Sequence, residues 1–289
     1  MGALTEALSN WIKEILINGI LSNFTNLFDY VNEQVSGVAG DIGITPMEWN
    51  SNVFNMIQNL SETVIMPIAG IVLTFIMTYE LIQMIIDKNN LHDLDTWIFF
   101  KWVFKTFIAI IVITNTWDIV MGIFELAQNI VQTASGVISA DTAIDISTVI
   151  ADMEDVLKEM DVGELLGLWL QTFVVQIIMK ALGIAIFIIT FGRMLEIYMV
   201  TSIAPIPMAT MANREWGQMG QNYLKSIIAL AFQAFMIIVC VGIYAALVEN
   251  ITLEDDIMKS VWICLGYTVL LCFTLFKTGS LSKSLFSAH

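Results

Sequence analysis

Charge is what this 289-residue chain has least of: only 13% of its residues are Asp, Glu, Lys or Arg, about half the share of a soluble domain. Basic residues are scarcest, 12 against 27 acids, for a net charge of -15. That balance excludes tight, nonspecific phosphate gripping, which needs clustered Lys and Arg to release counterions. His92 and His289 are the only histidines. No histidine or cysteine pair has metal-ligand spacing, and no glycine-rich loop cradles a phosphate, so neither an enzyme nor a bound cofactor or metal is expected. Asp93 and Asp95 beside His92 read as a solvated loop. Cys240, Cys264 and Cys272 all lie in apolar runs, and the last two are separated by about 12 Å of helical rise, too far to bridge. They read as small core hydrophobes. Residues 1–20 lack the basic start, compact apolar block and small-residue site of a cleaved signal peptide.

What fills the chain instead is apolar: 57% of the residues are hydrophobic, in runs that reach the roughly 20 residues needed to cross a hydrocarbon core about 30 Å thick. Such runs predict helices, because a barrel would show short alternating segments. The expected class is therefore an all-α, polytopic membrane protein with about five transmembrane helices and added amphipathic helices.

Residues 1–63 read as an extracytoplasmic amphipathic region. From Leu4 to Val35 apolar residues recur every three or four positions, with Glu6, Lys13, Glu14, Asn18 and Glu33 between them. A helix of that kind lies in the membrane interface or packs on a neighbouring subunit. After Gly37, Gly40, Gly43 and Pro46, a second amphipathic segment, Trp49 to Leu60, leads into a transmembrane domain over 64–276. Its first span is 64–86, with Pro67 near the start, and its second is roughly Ile98 to Phe124, edged by Lys101 and Lys105. An acidic outer loop, 125–164, carries an amphipathic stretch over 146–160. The block 165–209 is about 45 residues and would reach roughly 67 Å as one straight helix. It reads as a tilted or overlong helix, an interfacial lead-in, or a segment bent near Pro205. Further spans are Ser226 to Val248 and Ile257 to Phe276, before a short tail, 277–289.

Lys and Arg mark cytoplasmic loops. Lys88, Lys101 and Lys105, then Arg193, Arg214 and Lys225 around an inner loop at 210–225, then Lys277 and Lys283, are the basic groups; loop 125–164 has only Lys158 and turn 249–259 only Lys259. The expected topology has the amino terminus outside the plasma membrane and the carboxyl terminus in the cytoplasm.

Four charges interrupt the apolar blocks: Glu80, Lys180, Arg193 and Glu196. On insertion scales a central charge costs about 2.5 to 3.5 kcal/mol, so these are expected to snorkel, to pair structurally, or to line a polar path or assembly contact. Arg193 and Glu196, three apart, are placed for a local ion pair. Pro205 and Pro207 are expected to end the helix near Ile203 and to push Ala204 and Ile206 toward extended backbone. That break serves as a terminator, a shaped constriction or an assembly contact.

The run RMLEIYMVTSIAPIPMATMANREWGQMGQNYLKSIIALAFQAF carries a family likeness. A polar-punctuated helix (Arg193, Glu196, Tyr198), an Ala-Pro-apolar end (Ala204, Pro205, Ile206), a short loop with Trp216 and a new span near Ser226 resemble the TrbL-type inner-membrane subunit of type IV secretion systems. The chain looks especially like the compact versions carried by conjugative elements of Gram-positive bacteria, and the resemblance covers roughly residues 64–276. The resemblance implies a non-enzymatic oligomeric channel subunit that helps move relaxase-bound single-stranded DNA or protein out of the donor cell. It also implies other type IV secretion membrane subunits and cytoplasmic transport ATPases as partners. The intramembrane charges leave an ion-coupled small-solute transporter as the alternative, and a pathless membrane anchor as a third reading.

Overall fold

A computed structural model describes residues 2–87, 96–138, 147–249 and 257–288. The loop with Lys88, His92, Asp93 and Asp95 and the turn around 250–256 lie outside them. The described residues form helices and no strand: α1 (Gly2–Ile42), α2 (Pro46–Trp49), α3 (Ser51–Leu60), a π turn (Ser61–Ile65), α4 (Met66–Asp87), α5 (Thr96–Thr114), α6 (Thr116–Ile138), α7 (Ser147–Glu159), α8 (Val162–Ser202), α9 (Pro205–Thr210), α10 (Gly217–Glu249) and α11 (Ile257–Leu285). Among these residues five helical runs are long and apolar enough to cross a membrane: Ser51–Ile86, Thr96–Thr114, Val162–Ser202, Gly217–Val248 and Trp262–Leu285. The protein is an all-α polytopic membrane protein.

The first span is longer than expected, because α3, the π turn and α4 run on as one. Pro67 explains the π turn. Proline has no N–H to offer the preceding turn, and just before it the helix widens so that Met66 N–H donates to Ser61 O, five residues back. The second span is shorter than the 98–124 expected. Thr114, Asn115 and Thr116 all turn their side chains back on carbonyls of the preceding turn: Asn115 Nδ2 donates to Ile111 O (2.8 Å), Thr114 to Ile110 O and Thr116 to Val112 O. Such back-bonding competes with the helix ladder, and the regular helix breaks at Asn115. α6 then follows as an amphipathic helix that buries Trp117, Val120, Met121 and Phe124. Within the acidic stretch 125–164, α6 reaches Ile138 and α7 occupies Ser147–Glu159. The long apolar block is one overlong helix, α8, followed by the short α9.

The chain divides into two compact units. The first comprises Met1–Ile42, Thr133–Thr190 and Ile237–Lys277. Here α1 buries Leu16, Ile20, Phe24 and Leu27. Lys13 Nζ donates to Met160 O at the end of α7 (2.6 Å), and Asn23 Nδ2 donates to Thr172 Oγ1 on α8 (3.1 Å). Two glycines set the close approach. A Cβ on Gly19 would lie 2.7 Å from Trp169 Nε1, and the Tyr30 hydroxyl occupies the place a Cβ on Gly183 would take. These contacts advance together, 19 with 169, 23 with 172 and 30 with 183, so α1 runs parallel to α8. α8 begins with a reciprocal cap: Glu164 N–H donates to Asp161 Oδ1 (2.9 Å), and Asp161 N–H to Glu164 Oε2 (3.1 Å). Tyr244 and Thr268 share a hydrogen bond between α10 and α11 (2.8 Å), and Cys272 Sγ donates to Leu182 O (3.5 Å). All three cysteines are free, and Cys264 and Cys272 are buried.

The second unit comprises Gly43–Gln132, Phe191–Met236 and Thr278–His289. Tyr198 on α8 donates its hydroxyl to Pro46 O, and Trp49 stacks at an angle on Tyr198 and Phe191. Phe54 meets Trp117 edge-on, with ring centroids 5.3 Å apart. α9 is buried, and Ile206, Ala209 and Ala212 pack into Ala69, Leu73 and Met77 of α4 and Ile113 of α5. α10 comes close to α9 at Gly220, whose N–H donates to Thr210 Oγ1 (3.0 Å).

Two predictions follow from these contacts. A Cβ on Gly220 would lie 2.5 Å from the Pro207 carbonyl oxygen and 2.1 Å from Met211 Cγ. Gly220→Ala should therefore destabilise by about 1 to 3 kcal/mol through overpacking. Gly266→Ala, where nothing stands within 4 Å, should be neutral or stabilise by up to about 1 kcal/mol. Thermal midpoints of the detergent-solubilised variants compare the two. At α2, Glu48 is held below the ordinary carboxylate range by the backbone N–H of Thr45, then by the Thr45 hydroxyl and Gln128. A depressed folded pKa gives stability that is complete above the unfolded value of about 4.3 and is lost as pH falls through the folded value. The midpoint gap between the natural chain and Glu48→Gln should close on acidification below that value.

Candidate functional site

The break after α8 is built by two prolines whose missing donors are replaced one residue upstream. In a continuing helix Pro205 would have donated to Thr201 O and Pro207 to Ile203 O. Instead Ala204 N–H takes Thr201 O (3.1 Å) and Ile206 N–H takes Ile203 O (3.2 Å), each a tighter, three-residue bond. Ala204 is helical, with φ -49° and ψ -41°, which corrects the extended backbone expected there. The physical reason is that Pro205 stands at the first position of α9, where its fixed φ suits a helix start and its missing N–H has no partner to lose. α8 itself ends at Ser202, as the spacing predicts.

Beyond α9 the chain reverses within six residues. Thr210 Oγ1 donates to Pro207 O (2.7 Å) while accepting from Gly220 N–H, so one buried hydroxyl ties both sides of the reversal. Asn213 Oδ1 accepts from Glu215 N–H (2.7 Å), and Gly217 N–H returns to Asn213 O (2.8 Å). At the tip, Arg214 is exposed, and Trp216 rests on Phe75 of α4 with centroids 5.8 Å apart. Gln83 Nε2 donates to Glu215 Oε1 (3.2 Å). Thr210, Asn213 and Gly220 were not singled out from sequence. Asn213, a residue type that caps turns, was the one available signal.

The intramembrane charges take separate partners. Glu80 accepts from Lys105 across α4 and α5 through Oε1, while its buried Oε2 has no hydrogen-bond partner among the described residues. Glu196 is taken by Lys283 of α11 (3.0 Å), with both side chains partly exposed. Arg193 makes no ion pair with Glu196 at bonding distance among the described residues, although the charge of Glu196 still acts on it. It is only 7% exposed, and its Nε is unpartnered among the described residues. Lys180 belongs to the first unit, is exposed, and makes no bond there among the described residues. Among the described residues no three His, Cys, Asp or Glu gather as a metal site. The arrangement offers charge in apolar surroundings beside a hydrogen-bonded reversal.

Arg193 and Glu80 should respond in opposite senses to neutralisation. Removing a buried cation whose near carboxylate is bonded to Lys283 removes its desolvation penalty, so Arg193→Met should leave the thermal midpoint unchanged or raise it, for a gain of up to about 4 kcal/mol in stability. Glu80→Gln strands Lys105 and should lower the midpoint, for a loss of about 1 kcal/mol in stability from this half-buried pair. A midpoint that falls sharply for Arg193→Met would show that the guanidinium has a partner of its own.

Comparison with known proteins bears on this geometry. The family model described as TrbL/VirB6 plasmid conjugal transfer like protein matches residues 31–205, more than half of the chain. The match starts within α1 and runs through α8 to Pro205, so the stretch from Ile206 onward falls outside it. No curated protein and no solved structure matches. With its helical membrane architecture and this match, the chain belongs to the TrbL/VirB6 plasmid conjugal transfer-like family.

Proposed function

We propose that this protein is a structural channel subunit of a conjugative type IV secretion system, helping to move relaxase-bound single-stranded DNA or protein across the plasma membrane. The family match over residues 31–205 carries this reading. The chemistry agrees with it in one respect: a conduit must not hold its cargo, and a chain with net charge -15 repels a phosphate backbone rather than gripping it. Its partners on this reading are further copies of itself, other membrane subunits of the system, and cytoplasmic transport ATPases.

The basic groups Lys101, Lys105, Arg193, Arg214, Lys225, Lys277 and Lys283 assign the cytoplasmic side. The amino terminus is then outside and the carboxyl terminus inside. The reversal at Met211–Trp216, with exposed Arg214 and Trp216, is the cytoplasmic contact surface of this reading.

Deleting the gene from a donor strain and measuring conjugative transfer tests the reading. Transfer should fall to background and return on complementation in trans. Unimpaired transfer by the deletion strain, or solute-specific flux through vesicles containing this protein alone, would instead make it a transporter, the role its intramembrane charges otherwise suggest.

A further inference from the structure

The end of α11 is held lightly. Of residues 281–288 only Ser282 and Ala288 are buried, while Leu281, Lys283, Ser284, Leu285 and Ser287 are exposed. Ser282 Oγ donates to Ala229 O of α10, and Phe286 meets Phe232 of α10 edge-on with centroids 5.4 Å apart. Lys283 Nζ donates to Glu196 Oε1 of α8 (3.0 Å). All of these residues belong to the second unit. A segment with so few buried side chains opens locally at low cost.

Glu196 has a second cation beside it. Arg193 lies three residues back on α8, a spacing that places two side chains on one face within reach of each other. Its guanidinium is buried, its Nε is unpartnered, and Glu196 is the charged group whose field acts on it among the described residues. One carboxylate thus serves two cations and bonds the more exposed of them. If Lys283 moves away, that carboxylate needs only a side-chain rotation to reach Arg193, with no movement of the α8 backbone. The buried guanidinium then gains the counterion that a desolvated charge requires. Lifting the end of α11 therefore costs the difference between the two ion pairs, added to the Ser282 and Phe286 contacts, rather than the whole of the Lys283 pair.

We propose that Glu196 is a two-position switch: it bonds Lys283 while the end of α11 lies on α8 and α10, and Arg193 when residues 281–288 lift away. Arg193 is the reserve partner that eases release of this segment, which gives a role to a buried cation with no bonded carboxylate in the docked state. Release uncovers Ala229 O and the Phe232 ring on α10. The inference concerns this joint alone and holds whether or not the protein is a channel subunit.

Amide hydrogen exchange of residues 281–288 in the whole detergent-solubilised protein reads the opening directly. The natural chain is compared with Arg193→Met, Lys283→Met and the double variant. Without Arg193 release loses its compensation, so Arg193→Met should slow exchange of the segment about two- to fivefold. Lys283→Met should speed exchange by a similar factor in the Arg193→Met background, and by less in the natural chain, where Glu196 has a second partner. Adding Glu196→Gln to every chain should remove the difference between backgrounds. Should the methionine variant not fold, Arg193→Gln completes the same cycle. An equal effect of Lys283→Met with and without Arg193 would overturn the switch and leave a plain surface clamp. So would a difference between backgrounds that survives Glu196→Gln, since the coupling would then not pass through that carboxylate.

Discussion

In a medium without water, every backbone carbonyl released by a helix break must find another donor, and the second unit is organised around meeting that demand at Thr201 and Ile203. The two prolines that break α8 remove two donors. The N–H groups of Ala204 and Ile206 replace them by reaching back three residues rather than four. The exchange keeps the chain helical through the break instead of opening it, so α9 can be buried against α4 and α5 without stranding polar groups. Gly220 and Thr210 complete the arrangement, because α10 can leave the reversal only where no Cβ meets the Pro207 carbonyl.

The same low-dielectric demand sorts the charges. Glu80 with Lys105 and Glu196 with Lys283 show that the chain supplies counterions from distant sequence where packing allows. Arg193 is the exception. Its i+3 carboxylate bonds Lys283, and its buried Nε is unpartnered among the described residues. Such a group lowers stability relative to an apolar side chain of similar volume, so its presence is not explained by folding alone.

Much of this was legible in the sequence, and what was not has identifiable causes. The spans were legible because crossing a bilayer is a property summed over about 20 residues, which single substitutions barely move. For the same reason the break at Asn115 was not: one amide among apolar neighbours leaves the sum unchanged while its side chain competes for Ile111 O. The end of α8 was legible from Pro205, but the backbone of Ala204 was not, since a proline that opens a new helix leaves its predecessor free to be helical. Counterions were invisible because Glu80 and Lys105 lie 25 residues apart and Glu196 and Lys283 lie 87 apart. The close approach of Tyr30 to Gly183 left no trace either, as one glycine among many says nothing of what fills its space.

α1 shows why amphipathic patterning alone did not settle where this helix lies. A stripe of apolar residues states how many kinds of surroundings a helix has, not which they are. One stripe of α1 is satisfied by burial at Leu16, Ile20, Phe24 and Leu27. The other changes character along its length, from exposed Leu8, Trp11 and Ile15 to the polar positions that begin at Asn18. Averaged over 41 residues, these two trends cancel, and the helix looks only weakly sided. α5 stands at the opposite limit, with Ile113 as its one fully buried residue among those described and an apolar surface nearly all round. A helix sequence of that kind is what contact with lipid on most sides requires. α1 differs in having one side buried against protein and exposed polar groups at Asn18, Ser22, Asn26, Asp29 and Glu33. The position of α1 is therefore set by the helix it packs against, through contacts that no hydropathy measure of its own residues reveals.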